Sequence, residues 1–319
     1  MKKLILLVAV ILLNGCKSEP ELKEVTITSD EVKEIVEYLA SDAIQGRDTG
    51  SEGIELSAQY LENKFEALGV DPYFETYRDN FKIDSINAFN VVGHLKGGDD
   101  KLQNEIIVIG AHYDHVGYRA KAVEGDSIAN GANDNATGAA AVMALANYFA
   151  QRKNNKRSVV FVLFSGEEMG LRGSRHLAEK MKNANANIYT VVNFEMIGVP
   201  FIDRDYDALL TGYDLSNMAS KINEYANANV VGKSDVAVQY NLFKRSDNYP
   251  FYQEFEVPSQ TIGSCDLTNY DFYHHVDDEA DKMDYVHMAN LINKLAPAIE
   301  MMSNTEAKEI VMNKETENE

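Results

Sequence analysis

Apolar residues recur at helical spacing at Val32, Ile35, Val36 and Leu39, behind an Asp30 that predicts the N-cap. A second helical pattern covers residues 54–68 and stops at Gly69, a residue suited to a left-handed helix end. Strand-like runs follow at 74–83, 90–95 and 106–111, with Gly97-Gly98-Asp99-Asp100 as the turn between the last two. From there helices predicted at 136–151, 171–182, 215–228 and 285–302 alternate with strands at 158–164, 189–194 and 259–262. Short, continuously apolar strands alternating with helices predict an α/β fold with a mostly parallel central sheet and helices on both faces. No internal repeat or low-complexity linker interrupts residues 30–302, so one domain is predicted there. The polar tail, 303–319, is expected to be a frayed helix or disordered.

The amino terminus changes this picture. Met1-Lys2-Lys3 precedes ten apolar residues, Leu4 to Leu13. As a helix this run would reach about 15 Å, half a hydrocarbon core. A basic start and a short apolar run read as a secretory signal. Leu13-Asn14-Gly15-Cys16 resembles a bacterial lipobox, with Asn14 where a small residue is usual. The expected organisation is a signal peptide at 1–15 and a tether at 16–29. Lipid such as palmitate on Cys16 would hold the protein to a membrane of the bacterial cell envelope, facing periplasm or exterior. Cys265 then has no partner and reads as a small buried thiol.

Composition narrows the chemistry. Fifty acidic against 30 basic residues give a formal charge of −20, which excludes a nucleic-acid binder working through a broad basic face. With two cysteines there is neither a disulfide framework nor a Cys-rich zinc module.

Five segments place His, Asp and Glu at strand ends or in the loops that follow. These are His112-Tyr113-Asp114-His115 after the strand at 106–111, and Asn133-Asp134-Asn135 before the Ala-rich helix. Glu167-Glu168 follows the strand at 158–164, Glu195 follows the strand at 189–194, and Tyr273-His274-His275 precedes the last helix. In an open α/β sheet the ligand crevice lies outside the carboxyl ends of the strands, so all five can meet there. Singly, each has a plainer explanation: Asp134 as an N-cap, Glu167-Glu168 as a helix-dipole partner, His112 as a core histidine. Imidazoles and carboxylates without thiolate suit zinc or a related metal at a catalytic, open site. There is no H-E-x-x-H helix and no G-x-S-x-G elbow.

The segments G-A-H-Y-D, N-G-A-N-D-N-A-T-G, F-S-G-E-E-M-G-L-R-G-S and Y-H-H resemble the co-catalytic-zinc aminopeptidases. That family includes secreted bacterial leucyl-type and vacuolar aminopeptidases, with glutamate carboxypeptidase and glutaminyl cyclase relatives. The likeness runs from about residue 30 to 302 and includes the G-R-D-T-G-S-E-G loop and Arg245-Ser246-Asp247. It implies two Zn²⁺ per chain, His112 and Glu195 on one, Glu168 and His274 on the other, and Asp134 bridging. It also implies Glu167 as general base, Asp114 orienting the His112 imidazole, Tyr273 at an oxyanion-stabilising position, and Arg245 lining the substrate cleft. The activity implied is removal of N-terminal residues from peptides or protein N-termini, with a hydroxide bridging the two zinc ions as the nucleophile.

Departures from the family pattern are Glu195, where Asp is common, and Asn248, where an S-D-H run is common and where the change bears on the substrate pocket. Either His274 or His275 could be the ligand, and the Tyr-His pairing points to His274. His115 is expected to be a loop residue. Competing readings are a glutaminyl cyclase, against which the absence of Trp speaks, and a non-catalytic binding module on the same fold. The oligomeric state is left open.

Overall fold

The computed structural model describes residues 23–314. The segment expected to be a signal peptide, Cys16 and the first part of the expected tether lie outside the described residues, as do 315–319. No described helix is long and apolar enough to cross a membrane. In chain order the strands are β1 (Asp71–Pro72), β2 (Arg78–Ile83), β3 (Ile86–Leu95), β4 (Glu105–His112), β5 (Gly117–Val123), β6 (Asp126–Ala129), β7 (Ser158–Phe164), β8 (Asn187–Phe194), β9 (Ala208–Leu210), β10 (Val231–Gly232) and β11 (Ser259–Gly263). The helices are α1 (Ser29–Leu39), α2 (Glu52–Leu68), α3 (Thr137–Arg152), α4 (Arg172–Asn183), α5 (Met218–Ala226), α6 (Asp235–Gln239), α7 (Asn248–Phe255) and α8 (Tyr285–Asn304).

Nine strands form one sheet in the order β1-β3-β7-β4-β8-β11-β9-β10, with β2 paired to β3. The centre, β7-β4-β8-β11, is parallel. Antiparallel pairings flank it, β3 with β7 on one side and β9 with β11 on the other. The fold is thus α/β with a mixed, mostly parallel sheet.

Alternate residues of the central strands enter two separate cores. Ile107, Ile109, Ala111, Phe161, Leu163 and Val192 pack with residues of α1, α2, α3, α5 and α8. Val108, Val160, Val162, Phe164 and Val191 pack with Leu177 and Met181 of α4 and Phe251 of α7. Both faces being covered explains why these strands read as unbroken apolar runs. Helix α3 is buried nearly all round, and its alanines let α1 and α8 pack over it. Helix α2 stops at Gly69, whose φ of 69° an L side chain resists.

Both ends of the domain reach further than expected. The α1 cap is Thr28, whose side chain accepts from the Glu31 N–H at 3.2 Å, so the helix starts before Asp30. Ile27 is buried and tied to α8, where Asn293 accepts from its N–H and donates to its carbonyl. Residues 305–313 are docked rather than frayed. Ile310 is buried, its N–H donates to the Tyr189 hydroxyl at 2.8 Å, and Met312 bridges to Ser216.

The parallel strands place the ends of β4, β7 and β8 at one edge, and Arg47 sets the loops around that edge. Its guanidinium is fully buried and donates to four main-chain carbonyls: Tyr113 at 2.8 Å, Asn130 at 2.6 Å, Gly131 at 2.8 Å, and Leu39. Replacing Arg47 by Met keeps the stem and strands these acceptors. The expected loss is roughly 3–5 kcal/mol, read as a lowered urea midpoint with an unchanged denaturant slope; an unchanged midpoint would show that the clamp contributes nothing.

Candidate active site

The chain rebuilds one cluster from five segments. His112 ends β4, Glu167 and Glu168 follow β7, and Glu195 follows β8. Asp134 precedes α3 and His274 lies in the loop between β11 and α8. The two oxygens of Asp134 face opposite ways. Oδ1 lies 3.3 Å from His112 Nε2, which is in turn 3.1 Å from Glu195 Oε1. Oδ2 lies 3.2 Å from His274 Nε2, which is 3.0 Å from Glu168 Oε2. Two donor groups result, His112-Asp134-Glu195 and His115-Asp134-Glu168-His274, each with its ligand atoms within 4.8 Å of one another.

The sequence expected His115 to be a plain loop residue. It does lie in the loop between β4 and β5, and it is fully buried there, with Nδ1 3.0 Å from Glu168 Oε1 and 3.6 Å from Asp134 Oδ2. His275 is turned away; its Nδ1 accepts from the Asp277 N–H at 3.1 Å, so His274 is the member of the pair that faces the cluster.

Main-chain clamps hold the acidic segments. Asp278 accepts from the N–H groups of Asn133 at 2.8 Å and Asp134 at 3.0 Å, and from the Tyr270 hydroxyl. Asn133, Asn135 and Thr137 accept from the N–H groups of Gly198, Met196 and Ile197, which fixes Asp134 relative to Glu195. This explains the polar spelling of N-G-A-N-D-N-A-T-G. Asn135 is fully buried.

Asp114 faces the His112 ring with both its carbonyl and its carboxylate. The His112 Nδ1 meets the Asp114 carbonyl at 3.1 Å, whereas the Asp114 carboxylate stands 3.6 Å away, too far for a hydrogen bond. That carboxylate instead accepts from the Glu167 N–H at 3.3 Å and from Thr49 at 3.0 Å, and so positions the Glu167 turn. Glu195 is held by the Ser246 hydroxyl, which donates to Oε2 at 2.7 Å. Asn248 sits under the site, its side chain bonded to Phe243, Ser259 and Thr261, and is a packing residue.

Charge in the cluster is lopsided. Burial pushes the Glu167 carboxyl well above the usual range; His112 opposes this, while Glu195, Asp247 and Glu168 add to it. Burial also pushes Asp247 up to about 7, and both its oxygens lack a hydrogen-bond partner. Burial would lower His274, but Asp134 and Glu168 outweigh it and raise it to about 10. His112 is raised in the same way by Glu195 and Glu167.

Asp134 Oδ2 and His274 Nε2 are buried with no hydrogen-bond partner although they converge on one point. Convergent, unpaired N and O donors with excess negative charge are what a bound divalent cation requires, so the residues fit zinc. A cleft opens beside the first donor group. Glu167, Tyr273 and Arg245 line it, together with Met196, Leu209, Leu242 and Leu267. The Tyr273 ring stacks on His274 with centroids 4.0 Å apart.

The chain is 34% identical over 166 residues to a protein of Pyrenophora tritici-repentis described as a probable zinc metalloprotease. That match takes in 50% of this chain and 37% of the relative, so the chain spans well under half of the relative's length. Two solved structures share the fold. The Legionella pneumophila LapA aminopeptidase has a TM-score of 0.68 and 24% identity, covering 88% of this chain and 73% of that one. The Fimbriiglobus ruber glutaminyl cyclase has a TM-score of 0.67 and 21% identity, covering 89% and 98%. The model for peptidase family M28 matches residues 90–298, which contain every residue of both donor groups. The chain therefore belongs to peptidase family M28.

Proposed function

We propose that the protein is a zinc aminopeptidase that removes single residues from the N-termini of peptides, with two metal positions sharing Asp134. The observation that carries this reading is the opposed use of the two Asp134 oxygens by two donor groups, with Glu167 beside them. Zinc bound there would polarise the scissile carbonyl and supply a nucleophilic water near neutral pH.

The chain's own residues do the rest. Glu167 takes a proton from the attacking water and gives it to the leaving amine nitrogen as the C–N bond breaks. The Asp114 carboxylate, which accepts from the Glu167 N–H, fixes the turn that carries it. The acidic wall of Asp134, Glu168 and Glu195 accommodates the free α-ammonium of a peptide, which explains an N-terminal site of action. Tyr273 and Arg245 both line the cleft, and Tyr273 is the one that would meet the carbonyl oxygen. Glu167→Gln should retain metal while kcat falls by about 10²–10⁴-fold. Steady-state kinetics alongside elemental analysis test this, and undiminished kcat would remove Glu167 from the reaction.

The floor of the cleft is apolar, formed by Met196, Leu209, Leu242, Cys265 and Leu267 with Thr211 and Thr261. It favours an apolar first residue. Leucyl, methionyl and phenylalanyl anilides should exceed aspartyl and lysyl anilides by at least about tenfold in kcat/KM, with loss of all activity on chelation. Gln-leading peptides separate this reading from glutaminyl cyclisation, because peptidolysis releases free glutamine and cyclisation releases ammonia.

We also propose that lipid on Cys16 tethers the enzyme to the cell envelope, on the lipobox-like Leu13-Asn14-Gly15-Cys16. Cys16→Ser should move the protein from the membrane fraction to the soluble fraction; unchanged fractionation would remove the anchor.

A further inference from the structure

We propose that the β5–β6 hairpin binds the peptide downstream of the scissile bond and selects substrates that carry a carboxylate there, through Arg119 and Lys121. The inference rests on the aminopeptidase reading above and deepens it, because the cleft accounts for the first residue of the substrate and for nothing after it.

A groove distinct from the cleft lies beside the metal cluster. Tyr118, Arg119, Lys121 and Val123 of β5 form one wall, and His274 and Val276 of the loop before α8 form the other. The two depressions meet at consecutive residues: Tyr273 lines the cleft, His274 lines the groove, and their rings stack with centroids 4.0 Å apart. The same His274 ring reaches Asp134 and Glu168. A peptide whose first residue fills the cleft and whose scissile carbonyl lies at the cluster therefore has the groove within reach of its next residues. An extended chain advances about 3.3 Å per residue, so the run from Tyr118 to Lys121 matches about three of them.

The hairpin offers backbone as well as side chains. It pairs Gly117 with Ala129, Tyr118 with Ile128 and Val123 with Asp126, which leaves residues 119–122 without a register partner on β6. Those four residues are exposed, and the hairpin forms a two-stranded sheet of its own. Their N–H and C=O groups are open to an added extended strand.

Charge decides what that strand should carry. The chain has a formal charge of −20 and its donor groups are acidic, yet this wall of the groove is basic. His274 is engaged by Asp134 and Glu168, and His275 faces Asp277 at 3.3 Å. Arg119 and Lys121 are exposed and meet no carboxylate within ion-pair distance among the described residues. The acidic residues of the hairpin itself, Glu124 and Asp126, sit at its turn. An acidic wall for the α-ammonium, followed by a basic wall further along, reproduces the polarity of a peptide with its positive end first and a negative group downstream. Such complementarity fixes orientation and partner choice.

Peptide hydrolysis by the zinc-loaded protein tests this, with leucine first in every substrate. At low salt Leu-Ala-Glu-Ala amide should exceed its Gln and Lys counterparts in kcat/KM by at least about fivefold. The advantage should shrink as added salt screens the charges. Leu-Ala-Ala as the free acid, set against its amide, asks the same of a terminal carboxylate. An advantage in either arm upholds the proposal and shows which carboxylate is read. Equal rates in both arms would overturn it and leave the two cations only the role of deterring edge-to-edge strand pairing. In the double variant Arg119→Glu/Lys121→Glu the wild-type advantage should be lost or reversed. That ratio is taken within one variant, so a general loss of activity cancels; an unchanged ratio would place the selectivity elsewhere and would also overturn the proposal. If the wild type releases leucine from none of these peptides, the aminopeptidase reading itself fails. Release from all of them without regard to charge removes the role of the hairpin alone.

Discussion

Asp114, Asp134, Glu167, Glu168, Glu195 and Asp247 crowd one largely buried volume, faced by a single buried guanidinium, Arg47. Like charges in a medium that screens poorly repel strongly, and the protein by itself can answer only with protons. It does so: the carboxyls of Glu167 and Asp247 are raised, and the imidazoles of His112 and His274 hold a proton more tightly than usual. Divalent cations would neutralise the same charge without titrating it. Much of the surrounding architecture serves to hold these groups together against that repulsion.

The restraint is mostly main-chain. Arg47 collects four carbonyls, Asp278 collects two N–H groups, and Asn133, Asn135 and Thr137 stitch the Asp134 segment to the Glu195 segment. Side chains that would otherwise part are thus mounted on backbone that cannot move independently. The parallel centre of the sheet supplies the common edge, and the two apolar cores keep that edge rigid. Burial of Arg47 lowers its pKa to about 10, still far above neutrality, so the clamp stays charged in ordinary buffers.

The sequence carried the strand-end logic clearly. Unbroken apolar runs before His112, Glu167 and Glu195 announced both the central sheet and the edge where chemistry gathers. Short elements were invisible for a physical reason: β9 has three residues and β10 two, too few to show any periodicity. The β5–β6 hairpin is an exposed ribbon with little apolar alternation to read. Helix α7 begins at Asn248 in a stretch whose polar residues are turned inward to bond neighbouring loops. His115 lies in a loop as expected, but its burial against Glu168 was not legible, because that contact joins segments distant in the chain. The role of Asp114 was half legible: its proximity to His112 was evident, but which oxygen meets the ring depends on the turn after β4.

The near-contact between Gly131 and His115 links two positions sixteen residues apart across a hairpin. Any side chain at 131 would also meet the Asp134 carbonyl, 2.3 Å from its Cβ, at a φ of 58° that L residues resist. A smaller residue at 115 would not lift either constraint. Glycine at 131 is therefore demanded by the turn that carries Asp134, whatever ring packs beside it.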